Sequence, residues 1–286
     1  MQGRRLTFTL DLEDHYPSPN PAPRYPAITY KILDFLSDRG VKGTFFVLGE
    51  VAEQHPELIR TVHQRGHEIG FHSYAHVPLD RENPQRFRDQ TRRSKAFLED
   101  LTGAEVIGFR APIFSLTPKT LWALPILEEL GFGYSSSVLP LRHPLYGFPG
   151  APQQPFRWKH SLVEIPVPVA RIGPLLTAFL GGVYMRYLPD FLLVRLLRRQ
   201  NTRAALWTYC HPYDFDFEDK FVVMREATAL VSFLLWLNRR NTFRKVARIM
   251  EQGAGLPFRD YLKAGAYDSA PVFDPFPGLQ LATAAA

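Results

Sequence analysis

One cysteine, Cys210, occurs in 286 residues. No intramolecular disulfide can form, so the fold does not rest on an oxidising compartment. The chain also lacks the run of about 20 nearly uncharged apolar residues that a membrane-spanning helix needs. Its greasiest stretch, residues 175–197, is interrupted by Arg186, Pro189, Asp190 and Arg195. Near the start, Arg4 and Arg5 lead into a short apolar run from Leu6, too brief and too interrupted for a secretory signal. A cytoplasmic location is the expectation. Residues 175–199 either pack into the core or touch an anionic bilayer peripherally. No internal repeat and no linker stands out. The net charge of +6 is dispersed, apart from pairs such as Arg92-Arg93 and Arg198-Arg199. Aromatic residues do not interleave with the basic ones, so nucleic acid is not an expected partner. A composition of 45% hydrophobic and 22% charged residues excludes wholesale disorder.

Short apolar runs alternate with amphipathic ones through the first half of the chain. Strands are predicted at 6–12, 41–48, 68–71 and 106–109, and helices at 27–38, 51–65, 84–101 and 118–130. Gly40, Gly66, Gly103 and Gly131 close the helices, and Thr117 opens the last. This alternation predicts an α/β fold with a mainly parallel sheet. Residues 140–168 read as loop with short strands. A helix at 189–199, with Pro189 in its first turn, precedes a late strand at 204–209 that delivers His211 and Pro212. Residues 224–252 are helical in pattern with a break at 238–241. One domain is expected over 1–267, with a C-terminal helical elaboration, and an extended or disordered tail over 268–286.

The most informative local feature is the pair His72 and His76. At i and i+4 two imidazoles share one face of a helical turn and can reach one cation. Imidazole suits Zn, Co, Ni or Fe, and a carboxylate usually completes the site. Asp11, Glu13 and Asp14 offer carboxylates at the end of the first strand. Asp11, His72 and Arg110 all fall at carboxyl ends of predicted strands, where active residues of parallel α/β folds gather. His63 and His67, also four apart, lie on a helix end and turn and are expected to face solvent.

Three ordered phrases, Gly43-Thr-Phe-Phe-Val-Leu-Gly49, Arg65-Gly-His-Glu-Ile-Gly-Phe-His-Ser-Tyr-Ala-His76 and Gly108-Phe-Arg-Ala-Pro112, resemble the polysaccharide deacetylase family, the NodB-homology carbohydrate esterases. The resemblance runs from about residue 6 to about residue 216. Its wording is closest to a branch found at exopolysaccharide loci with exosortase systems, through Phe109-Arg-Ala-Pro-Ile-Phe-Ser-Leu-Thr117, Arg142-His-Pro-Leu-Tyr-Gly147 and His211-Pro-Tyr-Asp214. It implies a distorted (β/α) barrel of seven strands. It also implies a metal-dependent hydrolase that removes N-acetyl groups from N-acetylhexosamine units of a polysaccharide or lipid-linked glycan. The metal, Zn with Co, Ni or Fe as alternatives, would be held by His72, His76 and one carboxylate. Asp14 is preferred for that role, on the expectation of a turn after Leu12; Glu13, on the strand face of Asp11, stays open. Asp11 would be the general base, Arg110 would hold its carboxylate, and His211 would be the general acid. One departure is Ser135, which stands where such proteins carry an Asp that orients the acid. Glu164 or Asp214 could replace it. The resemblance leaves two further readings, hydrolysis of another C–N amide such as a formamido sugar or allantoin, and a non-catalytic glycan-binding descendant.

Overall fold

The computed structural model describes residues 6–15, 22–159, 161–200, 205–224 and 228–276. The first strand, β1 (Leu6–Leu12), is buried along its whole length. Its apolar residues Leu6, Phe8, Leu10 and Leu12 alternate with Thr7, Thr9 and Asp11, so the two sets face opposite sides of the sheet. The apolar set joins the main core with Ile28, Ile32, Leu33 and Leu36 of α1 (Tyr25–Ser37). The same sorting occurs in β2 (Gly43–Val47). Phe45 and Val47 enter that core, while Phe46 enters a second cluster with Tyr134, Trp207 and Phe258 inside the curl of the sheet. The polar face of β1 therefore looks into the interior, where its threonines and Asp11 find partners.

The predicted second helix is two, α2 (Gly49–Gln54) and α3 (Pro56–Gln64). Pro56 cannot donate a helical hydrogen bond, and His55 before it adopts φ −133 and ψ 58, outside the helical region. Next come β3 (Glu68–Phe71), α4 (Pro84–Thr102), β4 (Gly108–Phe109), α5 (Ala123–Glu129) and β5 (Tyr134–Ser135). Asn83 caps α4 by accepting from two backbone N–H groups, and Gly103 ends it at φ 66. The second half adds β6 (Phe156–Trp158), β7 (Val163–Glu164), β8 (Val169–Ile172), β9 (Leu175–Ala178), α6 (Gly182–Tyr187), α7 (Asp190–Arg199), β10 (Leu206–Trp207) and α8 (Pro212–Phe215). It closes with α9 (Ala229–Trp236), α10 (Thr242–Met250), α11 (Phe258–Lys263) and β11 (Val272–Phe273). The helical break predicted near 238–241 is present, with Asn238 at φ 61.

The strand order is β10-β1-β2-β3-β4-β5-β7-β6-β11, parallel except for the β6–β7 pair. This is the curled sheet of a distorted (β/α) barrel, with nine strands among the described residues rather than the seven expected. The additional strands are two or three residues long, too short to leave a periodic signal. One of them, β11, pairs with β6, so part of the predicted tail forms a sheet edge; residues 277–286 lie outside the described residues. β8 and β9 form a separate hairpin, followed by α6 and α7. Leu193, Leu196 and Leu197 of α7 are buried, whereas Leu175 and Phe191 are exposed. Among the described residues no helix is long and apolar enough to cross a membrane.

Candidate active site

The carboxyl ends of β1, β3, β4 and β10 converge on one polar cluster. Strand parity continues past Leu12, so Glu13 follows Asp11 onto the inner face and both are buried. Arg110, just beyond β4, is fully buried. Its Nη1 donates to Asp11 Oδ1 at 2.5 Å and to Thr9 Oγ1 at 2.9 Å. Its Nη2 donates to Ser136 Oγ at 3.2 Å, and its guanidinium lies 3.9 Å from the Phe46 ring centroid and 4.3 Å from that of Trp207. With Nε donating to the Ser136 carbonyl at 3.3 Å, two aromatic faces and four hydrogen-bond acceptors hold this fork, and the fork fixes Asp11. Trp207 thus packs on Arg110, with its indole N–H donating to Pro166 O at 3.1 Å. After Arg110 the chain turns through Ile113 and Phe114 at φ 53 and 54. This left-handed conformation is costly for a β-branched residue, and it sets Phe114 5.1 Å from the half-buried Tyr209 ring.

His72 and His76 meet, with ring centroids 5.3 Å apart, but no helical turn joins them. The chain after β3 bends through Ser73 at φ 72 and His76 at φ 57, and the Ser73 hydroxyl accepts from the His76 N–H at 3.1 Å. The Nδ1–H of His72 donates to the Arg110 carbonyl at 2.8 Å, which turns its Nε2 toward Asp11, 4.0 Å from Oδ2. His76 Nε2 lies 2.7 Å from Glu13 Oε2. One donor atom each from Glu13, His72 and His76 lies within 4.8 Å of the others. A buried carboxylate and two imidazoles, one oriented by a carbonyl behind it, form a donor set that fits a divalent transition metal. Asp14, the carboxylate preferred from the sequence, is not part of this set; Glu13, the one kept open, is. Asp14 lines a small cleft with Arg24, Tyr25 and Asp216, which Glu13 and His15 also border.

His211, half-buried at the start of α8, completes the cluster. Its Nε2 lies 3.8 Å from Asp11 Oδ2 and 3.4 Å from Glu13 Oε1. Its Nδ1–H donates to Asp214 Oδ2 at 3.1 Å, and its ring stacks on Tyr213 at 5.0 Å. Asp214 also accepts the backbone N–H of His211 and pairs with buried Arg186. Of the two acids considered in place of Ser135, Asp214 is therefore the one on His211. Glu164 instead accepts the N–H groups of Ser137 and Val138 at 2.7 and 2.9 Å, and Ser135 donates to Ser137 Oγ at 2.8 Å. Gly182 makes room for the Asp214 carboxylate; a Cβ there would sit 2.2 Å from Oδ2.

Burial disfavours the charged forms here, and the neighbours decide the outcome. Burial opposes charge on Glu13, yet His15, His76 and His211 hold it well below the usual carboxylate range. Burial also opposes charge on His211, but the hydrogen bond and charge of Asp214, with Glu13 and Asp11, raise its pKa. His72 is lowered by burial, against the pull of Asp11 and Glu13. His15 is pushed down to about 4, also by burial.

His15 itself was passed over in the sequence, although it continues the parity of Asp11 and Glu13. Its Nε2 lies 3.2 Å from Glu13 Oε1 and its ring 4.9 Å from that of His211. Tyr213, although inside the phrase His211-Pro-Tyr-Asp214, was given no role, and Arg186, outside any recognisable phrase, was also missed. His67 proves buried rather than solvent-facing, accepting the Gly43 N–H on Nδ1 at 3.1 Å.

Comparison with known proteins now bears on this geometry. Residues 7–134 match the family model "Polysaccharide deacetylase", and residues 136–262 match "Domain of unknown function (DUF3473)". A peptidoglycan-N-acetylglucosamine deacetylase of Bacillus cereus is 38% identical over 96 residues, 33% of this chain and 35% of that protein. The match therefore spans about a third of that relative's length. A crystal structure described as a putative polysaccharide deacetylase from Mycobacterium smegmatis aligns with TM-score 0.61 and 20% identity, covering 98% of this chain and 97% of that one. A carbohydrate esterase family 4 pseudoenzyme from Bacillus anthracis aligns at 0.51 and 14%, covering 91% and 66%. These likenesses show the fold alone. The two matched segments meet at β5 in the middle of the sheet, and the polar cluster draws on both. Asp11, Glu13, His72, His76 and Arg110 come from the first, and Ser136, Arg186, His211 and Asp214 from the second. The chain therefore carries a NodB-type polysaccharide deacetylase segment over residues 7–134, continued by the DUF3473 segment over residues 136–262.

Proposed function

We propose that the chain is a metal-dependent N-deacetylase acting on N-acetylhexosamine units of a polysaccharide or lipid-linked glycan, within one domain that joins both matched segments. The observation that carries this reading is the opposition of Asp11 and His211 across Glu13, each backed by its own buried ion pair. Glu13, His72 and His76 would hold the divalent metal, zinc first. Such a cation supplies Lewis acidity toward the acetamide carbonyl and the attacking water.

Asp11 has one oxygen occupied by Arg110, which leaves Oδ2 free to take a proton from water. Oxygen then bonds to the acetyl carbon and the C–N bond breaks. His211 supplies a proton from Nε2 to the departing amine, and Asp214, steadied by Arg186, retains the Nδ1–H and supports the imidazolium. The products are acetate and a free amino sugar. The half-buried Phe114 and Tyr209 are placed to wall the acetyl group. An exopolysaccharide substrate follows from the resemblance of residues 109–117 and 142–147. Peripheral membrane contact draws on exposed Phe191 beside Arg195, Arg198, Arg199, Arg244 and Arg248.

The test is acetate release from N-acetylglucosamine oligomers by metal-stripped protein, with and without added Zn or Co, beside His76→Ala. Release restored by metal in the wild type and absent in the variant is expected. Release without metal would overturn the reading, and metal binding without acetate would move it to another C–N amide.

A further inference from the structure

Glu13 faces imidazoles on both of its oxygens. Oε2 meets His76, with His72 beside it, and Oε1 meets His15 at 3.2 Å and His211 at 3.4 Å. Donor atoms of Glu13, His15 and His211 lie within 4.8 Å of one another, as do those of Glu13, His72 and His76. Donors bound tetrahedrally to zinc at about 2.0–2.1 Å stand roughly 3.3 Å apart, which is the spacing on Oε1. The flanking groups agree. A ligating imidazole is usually oriented by a carboxylate or carbonyl on its other nitrogen; His72 has the Arg110 carbonyl there, and His211 has Asp214 with Arg186 behind it. Packing of His15 against Tyr213, with centroids 4.3 Å apart, accounts for where its ring lies. Its Nε2 is directed at Glu13 Oε1, the oxygen His211 also meets, and its buried Nδ1 has no hydrogen-bond partner.

We propose that Glu13 is shared by two cation sites, a tight one with His72 and His76 and a weaker one with His15 and His211, and that zinc in the second switches the enzyme off. The weakness of the second site follows from charge. Asp11 and Glu13, with Arg110 between the sheet and Asp11, leave one net negative charge near the first cation. A second dication a few ångströms away meets a site that is already positive. The inhibition follows from His211 Nε2, whose single lone pair cannot hold a metal and the transferable proton together. General-acid catalysis is worth about 10²–10⁴-fold, and occupation of the second site removes it. The inhibitory half of the proposal rests on the deacetylase reading; the binding half does not.

The experiment titrates zinc into the metal-stripped full chain by calorimetry, with metal content measured after dialysis. Acetate release is followed at one and at several equivalents of zinc. The wild type is expected to bind two zinc ions in two steps and to lose activity about 100-fold between the two conditions. His15→Phe is expected to bind one zinc, with activity flat across the same range. His15→Gln, closer in polarity and a poor ligand, gives the same comparison if the phenylalanine variant does not fold. A single zinc in the wild type, or excess-zinc inhibition unchanged in the His15 variants, overturns the proposal. Two zinc ions in the wild type and one in the variants, with no acetate at any zinc level, would sink the deacetylase reading while the second site stood.

Discussion

Asp11 illustrates how much chemistry one buried side chain can carry when its partners are fixed. Arg110 takes one oxygen, and the other faces His72 and His211 at 4.0 and 3.8 Å. Asp11 lies outside the Glu13–His72–His76 donor set, so its roles in proton transfer and in metal retention separate. Asp11→Asn is expected to bind zinc as the wild type does and to lose turnover by about 10²–10⁴-fold, measured as zinc content and acetate release on one preparation. Full activity in that variant would remove Asp11 as the base. At this scale the sequence was largely legible, because period-two alternation puts residues 11 and 13 on one face. The preference for Asp14 assumed a turn after Leu12, whereas the donor atoms that come together with His72 and His76 include one from Glu13. The partner of His211 was legible only as one of two acids, and the structure puts Asp214, three residues away, on its Nδ1, while Glu164 binds backbone N–H groups.

At the level of elements, the loop after β3 carries the least legible geometry. Ser73 and His76 adopt left-handed backbone without being glycine, and no residue type announces it. The i,i+4 spacing did bring the two rings together, by a bend rather than a helix. The join between β2 and β3 gives a pH-dependent prediction. Burial holds His67 down to about 4, and its unprotonated Nδ1 accepts the Gly43 N–H. Between pH 4 and 6.5 the unfolded chain binds a proton there that the folded chain does not. The contribution of His67 is therefore complete above about pH 6.5 and is lost as pH falls toward 4, roughly 3 kcal/mol in all. His67→Asn keeps an acceptor near the Nδ1 position and cannot titrate. Denaturant unfolding across this window should show a shallower pH dependence for the variant, and equal slopes would remove His67 from the account.

Across the whole molecule, most elements of the first half were legible, since β1 alternates cleanly and α1 and α4 are long amphipathic helices, while the predicted second helix is split at Pro56. In the second half the helix at 189–199 and the late strand at 204–209 were read, but β5, β6, β7 and β11 were not, because they are two or three residues each and are defined by what they pair with. That half nonetheless carries His211, Asp214 and Arg186 to the ends of strands laid down by the first. Asp11 and the Glu13–His72–His76 donor set of the deacetylase-matched segment, the proposed base and metal ligands, therefore meet His211, the proposed acid, only when the second segment folds against it. The central claim, a metal held by Glu13 with His72 and His76 at a deacetylating site, is tested most directly by acetate release after zinc is returned to metal-stripped Glu13→Gln and Asp14→Asn proteins. The structure predicts that Glu13→Gln neither retains zinc nor releases acetate, while Asp14→Asn does both. Zinc-restored activity in Glu13→Gln, or its loss in Asp14→Asn, would contradict it.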